Sequence, residues 1–300
     1  MRVFVTGATG YIGSAVVDAL VRAGHEVTAL LRGTANVGRL GKLGVRPVSG
    51  SLEDPARWSA AAGGLDAYVH TAFEGTPRGP EIDKLAVDAL CALARTSQAA
   101  LVYTSGIWVL GDTAAPAAED APLHPTALSA FRPAHEAQVL ATGRDGVRAI
   151  VVRPGYVYGG GRGIVADLLK DAENGLMRVI GKGDNHWPCV YDRDLGDLYA
   201  RLLGTPDAAG VYHATDEADE RVNDIVEAVA AQVPSRPDVR HVPMAEARRK
   251  LGPYADALAL DQRVRSPRAH AIGWHPALTS VTRNVPRLFE EWRNARNNRA

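Results

Sequence analysis

The run Thr6-Gly7-Ala8-Thr9-Gly10-Tyr11-Ile12-Gly13 constrains this chain more than any other segment. It follows the apolar stretch Val3-Phe4-Val5 and opens a helical pattern over Tyr11–Ala23, the setting that a glycine-rich phosphate turn requires. Gly7 permits the tight turn, Gly10 lets the backbone approach a pyrophosphate, and Gly13 lets the helix pack closely against what lies beneath it. The helix N-terminus adds unpaired N–H groups and the positive end of a dipole. A dinucleotide-binding domain is therefore expected, with Thr9, Tyr11 and Ile12 beside the three glycines in the binding turn.

The rest of the chain repeats that rhythm. Short β-branched runs at Val3–Thr6, Glu26–Leu31, Val45–Val48, Ala67–Thr71, Leu101–Thr104 and Val147–Val152 alternate with helical patterns near Tyr11–Ala23, Pro55–Ala61, Glu81–Thr96 and Pro125–Thr142. Strands separated by helices imply a parallel sheet covered on both faces. After Arg153 the rhythm breaks into a glycine loop, helices at Ile164–Ala172, Asp192–Leu203, Val222–Ala231, Ala245–Leu251 and Val281–Arg296, and a strand at Gly210–Ala214. The expected fold is α/β, a Rossmann-type doubly wound parallel sheet with a smaller C-terminal substrate lobe. Residues 1–153 form the dinucleotide domain, 188–214 return to it, and the remainder of 154–300 is mostly lobe. The polar tail from Arg293 is expected to fray.

Charge and composition exclude several classes. Lys+Arg and Asp+Glu both total 34, so the net charge is zero, which speaks against nucleic acid or an anionic membrane as partner. No apolar run approaches the roughly 20 residues of a membrane span. A strand begins at the N-terminus with no room for a signal peptide, so a cytoplasmic location is expected. Cys91 and Cys189 have neither metal-ligand nor disulfide-framework spacing, and no histidine pair sits one helical turn apart. No metal is expected; the partner is a small-molecule substrate, and the state monomer or homodimer.

The end of the second strand bears on cofactor choice. An acid there commonly binds the ribose 2′-hydroxyl of NAD. Here the sequence is Leu31-Arg32-Gly33, and Arg32 suits a 2′-phosphate. NADP is the expectation, with NAD as the alternative. Ser51 and Leu52 after the third strand, and Thr71, Ala72 and Phe73 after the fourth, are expected on the adenine and ribose side.

Together with Thr6–Gly13, the segments Asp66–Ala72, Val102-Tyr-Thr-Ser-Gly106, Arg153-Pro-Gly-Tyr-Val-Tyr-Gly159, Trp187–Leu195 and Gly273-Trp-His-Pro276 make the chain resemble the extended and atypical short-chain dehydrogenases/reductases, the group that includes nucleotide-sugar epimerases and dehydratases. The resemblance spans nearly the whole chain and implies an NAD(P)-dependent enzyme. It adds Thr104, Arg132 and Pro154 to the cofactor-binding set. It also implies a Tyr and, four residues later, a Lys on one helix, with a Ser or Thr after the fifth strand.

These three residues are absent. Aligning Glu136 with the family's glutamate puts Leu128 at the Tyr position and Arg132 at the Lys position; a shifted register offers Phe131 and His135. Counting back from Gly111 puts Gly106 at the Ser/Thr site, with Ser105 one position earlier and on the other face of the strand. Ile107 and Trp108 occupy the places of the dehydratases' Asp-Glu pair, so neither 4,6-dehydration nor standard epimerisation is expected. The chain is closer to the atypical subgroups. Candidate replacement acids are Tyr156, Glu74, His124 and His186, while Trp108, Phe73 and Phe131 suit an apolar or aromatic pocket. The leading expectation is an oxidoreductase acting on a small aromatic or apolar carbonyl or alcohol. A redox-neutral isomerase or lyase and an inactive dinucleotide-binding regulator are the alternatives.

Overall fold

The computed structural model describes residues 1–297. The N-terminal part runs β1 (Arg2–Thr6), α1 (Tyr11–Arg22), β2 (Glu26–Leu31), α2 (Val37–Lys42), β3 (Arg46–Ser49), α3 (Ala56–Ala62), β4 (Ala67–His70), α4 (Gly79–Ser97), β5 (Ala100–Thr104), α5 (Arg132–Ala141) and β6 (Arg148–Pro154). Then come β7 (Tyr156–Gly159), α6 (Gly163–Glu173), β8 (Leu176–Ile180), β9 (His186–Trp187), β10 (Cys189–Tyr191), α7 (Asp192–Gly204) and β11 (Gly210–Ala214). The chain closes with β12 (Glu220–Arg221), α8 (Val222–Ala230), β13 (Asp238–Val242), α9 (Met244–Leu251), α10 (Tyr254–Leu258), α11 (Pro267–Ala271) and α12 (Val285–Asn297).

Seven strands form one sheet in the order β11-β6-β5-β4-β1-β2-β3, and every pairing in it is parallel. This is a Rossmann-type doubly wound sheet. Its order reverses between β1 and β4, which opens a crevice at the carboxyl ends of those strands. One face is covered by α1 and α7, whose Val16, Val17, Leu20, Leu195, Leu198 and Leu202 are fully buried against the strands. The other is covered by α3, α4 and α5 around Trp58, Leu90 and Val139. A third core, with Leu169, Met177, Ile225 and Trp292 among its members, builds the C-terminal lobe. Three two-stranded sheets stiffen the part of the chain beyond β6.

Two expectations need correction. The helix expected over Pro125–Thr142 begins only at Arg132; residues 127–131 form a turn. The cause is Pro133, which lacks an N–H and is tolerated only in the first turn of a helix. The fraying expected from Arg293 is also corrected, since α12 continues to Asn297; the final three residues lie outside the described ones.

Candidate functional site

The glycine turn is shaped by two close approaches. Gly7 has φ +78°, and a Cβ there would lie 2.6 Å from the Ala72 backbone nitrogen. A Cβ on Gly13 would overlap the Gly7 carbonyl oxygen and sit 2.6 Å from Thr71 Oγ1. Thr71 in turn donates to the Thr6 carbonyl at 2.8 Å. The turn, the first residues of α1 and the end of β4 are thus pressed into one concave surface.

That surface opens into a cleft of about 730 Å³ that runs from the turn to the C-terminal lobe. Gly7, Thr9, Gly10, Tyr11 and Ile12 line its centre; Arg32, Ser51, Leu52, Thr71, Ala72, Phe73 and Glu74 line one half. The other half is walled by Ile107, Trp108, Arg132, Pro154, Tyr156, Val157, Ile164 and Tyr254. A dinucleotide fits this arrangement. The glycines leave backbone where side chains would otherwise fill the cradle, and the N-terminus of α1 faces it.

Arg132 reaches the cleft from the first residue of α5. Its Nη1 donates to the Thr104 carbonyl at 2.9 Å, and its guanidinium carbon lies 5.1 and 5.0 Å from the Phe73 and Phe131 ring centres. Those rings stack on each other at 5.4 Å. His135, the alternative in the shifted register, is buried and donates through Nδ1 to the Asp83 carboxylate at 2.7 Å. Of the two residues, Arg132 lines the cleft and His135 does not. Leu128 falls in the turn before α5, so the tyrosine position is not even helical here.

Several expected site residues lie elsewhere. Thr104 does not line the cleft: its hydroxyl is 2.7 Å from that of Tyr199 on α7, because alternate residues of β5 face opposite sides of the sheet. His124 is exposed on a loop outside the cleft, where its backbone N–H bonds the Val109 carbonyl at 2.9 Å. His186 turns instead to Asp261, 2.7 Å from its Nδ1, and does not reach the cleft. Neither histidine is brought to the other candidates.

The remaining two acids do line the cleft, each with a partner. Glu74 accepts from Arg32 at 2.8 Å. The Tyr156 hydroxyl donates to the Ala257 carbonyl at 2.5 Å, and its ring lies between Trp108 and Trp187 at 5.6 and 5.0 Å. Burial pushes this phenol well above its ordinary pKa. Ser105 Oγ is sealed from solvent and has no hydrogen-bond partner among the described residues. Tyr254 was not legible as a cleft residue: it follows a Gly-Pro pair in the lobe, more than 100 positions from the turn, and only the packing of α10 brings it back.

Relatives add to this geometry. An uncharacterized protein of Schizosaccharomyces pombe is 31% identical over 94% of this chain and 97% of its own length. The 2-alkyl-3-oxoalkanoate reductase of Stenotrophomonas maltophilia is 29% identical over 64% of this chain and 62% of its own. Among solved structures, the UDP-glucose 4-epimerase of Thermus thermophilus in complex with NAD superposes with a TM-score of 0.81 at 21% identity, covering 98% of this chain and 100% of the epimerase. That structure and the similar ones that name their dinucleotide hold NAD. The expectation of NADP is thereby corrected. The local reason is the Arg32–Glu74 pair, which neutralises the cation and sets a carboxylate beside it.

No helix among the described residues is long and apolar enough to cross a membrane, and no three of their His, Cys, Asp and Glu side chains are arranged to hold a metal ion. The model of the NAD dependent epimerase/dehydratase family matches residues 3–215, and with that match the chain is a Rossmann-fold oxidoreductase that belongs to this family, with catalytic residues that depart from the family's serine, tyrosine and lysine.

Proposed function

We propose that this enzyme transfers hydride between NAD(H) and a small apolar or aromatic carbonyl compound or its alcohol. The observation that carries the reading is the wall of the lobe-side half of the cleft. Ile107, Trp108, Tyr156, Val157, Ile164 and Tyr254 present aliphatic and aromatic surface, and Arg132 is the single cation among the described lining residues there. A nucleoside diphosphate sugar would bring two phosphate charges to one guanidinium that already serves the Thr104 carbonyl. Such anions are ordinarily met by several charge-assisted donors. A ketone or aldehyde on an apolar body has no such need. The likeness to a reductase of 2-alkyl-3-oxoalkanoates supports the same substrate class.

On this reading the turn Gly7–Ile12 and the α1 N-terminus hold the pyrophosphate. Ser51, Leu52, Ala72 and Phe73 flank the adenosine half, Pro154 borders the nicotinamide end, and Arg132 hydrogen-bonds its ribose. Bound NADH supplies the hydride; the chain supplies orientation and a dry wall.

The test is NADH absorbance in the presence of a panel of alkyl and aryl ketones and aldehydes, with UDP-glucose as the contrasting substrate. Consumption of NADH by members of the panel, and none with the nucleotide sugar, is expected. Product formation without net change in NADH would overturn the reading in favour of an isomerase or lyase.

A further inference from the structure

Among the described residues that line the cleft, five carry a carboxyl or phenol group, and four of these are engaged. Glu53 accepts from Arg78 at 3.1 Å, and Glu74 from Arg32 at 2.8 Å. The Tyr11 hydroxyl donates to the carbonyls of Gly159 and Arg162 at 2.8 and 3.2 Å, fastening the glycine loop after β7 onto α1. The Tyr156 hydroxyl is held by the Ala257 carbonyl at 2.5 Å. Arg132 offers a guanidinium, which is no general acid. The fifth is Tyr254. Its hydroxyl has no hydrogen-bond partner among the described residues, the residue is 39% exposed, and its ring meets Trp108 edge-on at 5.9 Å.

Trp108 fixes which half of the cleft this phenol serves. It follows β5 by four residues and also contacts the Tyr156 ring, so Tyr254 stands over the apolar wall rather than beside the Arg32–Glu74 pair. We propose that Tyr254, supplied by the C-terminal lobe, is the acid that protonates the substrate oxygen in place of the missing helical tyrosine. The inference rests on the oxidoreductase reading above. In the reducing direction bound NADH would supply a hydride to the carbonyl carbon, forming the new C–H bond and leaving NAD+. The C=O π pair moves onto oxygen, the phenol O–H breaks to give that oxygen its proton, and solvent reprotonates the phenolate at its exposed edge. Partial burial and the nearby Asp167 raise the Tyr254 pKa, which keeps the group protonated as a donor.

The experiment compares wild type with Tyr254→Phe and Tyr156→Phe, using a ketone reduced by the wild type and a non-reducible amide of the same shape. Tyr254→Phe is expected to lower kcat by about 10²- to 10⁴-fold, the usual worth of a general acid. NADH affinity in calorimetry should be unchanged, while the amide binds about 3- to 10-fold more weakly to the NADH-loaded variant for want of one hydrogen bond. Tyr156→Phe should not reproduce the loss of amide affinity. A Tyr254→Phe enzyme that matches wild type in kcat and amide affinity overturns the assignment and leaves the oxidoreductase reading standing. A wild type that binds NADH but reduces no carbonyl overturns that reading first.

Discussion

The Arg32 guanidinium lies 2.8 Å from the Glu74 carboxylate, and the pair joins the ends of β2 and β4 at the rim of the cleft. The arginine is 74% exposed, so the pair adds little to stability; exposed pairs are typically worth about 0–1 kcal/mol. Its effect falls on the ligand. A carboxylate beside this cation repels a 2′-phosphate while leaving a 2′-hydroxyl untroubled.

Glu74→Gln should therefore relax cofactor preference without harming the fold. NADPH affinity is expected to rise about 3- to 10-fold relative to NADH, the scale of one exposed charge interaction. Calorimetric titration of both dinucleotides decides it: an unchanged ratio would show that the pair has no part in discrimination.

Gly13 has less latitude than either neighbour in the turn. A Cβ there overlaps the Gly7 carbonyl oxygen, so Gly13→Val must push α1 away from the turn. Overpacking of this kind costs about 1–3 kcal/mol. The same movement withdraws the N–H groups that would face the phosphates. Loss of measurable NADH binding in a variant that still folds, judged by circular dichroism, is the expected result. Wild-type affinity would refute the role given to this turn.

How far the sequence alone reaches can be judged from these sites. The turn at Thr6–Gly13, the strands at Glu26–Leu31 and Gly210–Ala214, and the place of Arg132 were legible because each rests on local pattern: glycine spacing, β-branched runs, register from Glu136. The start of α5 was misread because periodicity outweighed Pro133, whose effect is equally local. Cofactor choice was misread for a different reason. Arg32 was visible, but its pairing with Glu74 joins residues 42 positions apart through the β1–β2 and β1–β4 registers. Tyr254 was invisible on the same ground, as was the commitment of the Tyr156 hydroxyl to a backbone carbonyl 101 positions away.

Ser105 offers a contrast to the serine of the family. Its Oγ is buried without a partner among the described residues, which costs a hydroxyl about 1–3 kcal/mol relative to water. Ser105→Ala should consequently hold or raise stability, by up to about 1 kcal/mol in urea unfolding. A clear destabilisation would mean that the hydroxyl has a partner in solution.

Asp83 is the opposite case, a buried carboxylate with all its needs met. Oδ1 lies 3.1 Å from His70 Nε2; Oδ2 lies 2.7 Å from His135 Nδ1 and accepts from the Tyr103 hydroxyl at 2.8 Å. His70 Nδ1 continues to Thr6 Oγ1 at 2.6 Å, so the cluster ties α4 and α5 to β1, β4 and β5 directly behind the glycine turn. Burial alone would raise this carboxyl's pKa, but the hydrogen bonds from His135 and His70 outweigh it and hold the group well below its ordinary range. A depressed folded pKa contributes stability that is present above the unfolded carboxylate pKa of about 4 and is lost as pH falls through the folded value. Asp83→Asn removes the charge and leaves donors facing donors. Removing a buried charge from the donors that satisfy it typically costs about 3–5 kcal/mol. The variant should lose that much in urea unfolding at neutral pH, and the gap to wild type should narrow on acidification below pH 4. A gap that stays constant into acid would show that the carboxylate's charge contributes nothing to holding these five elements together.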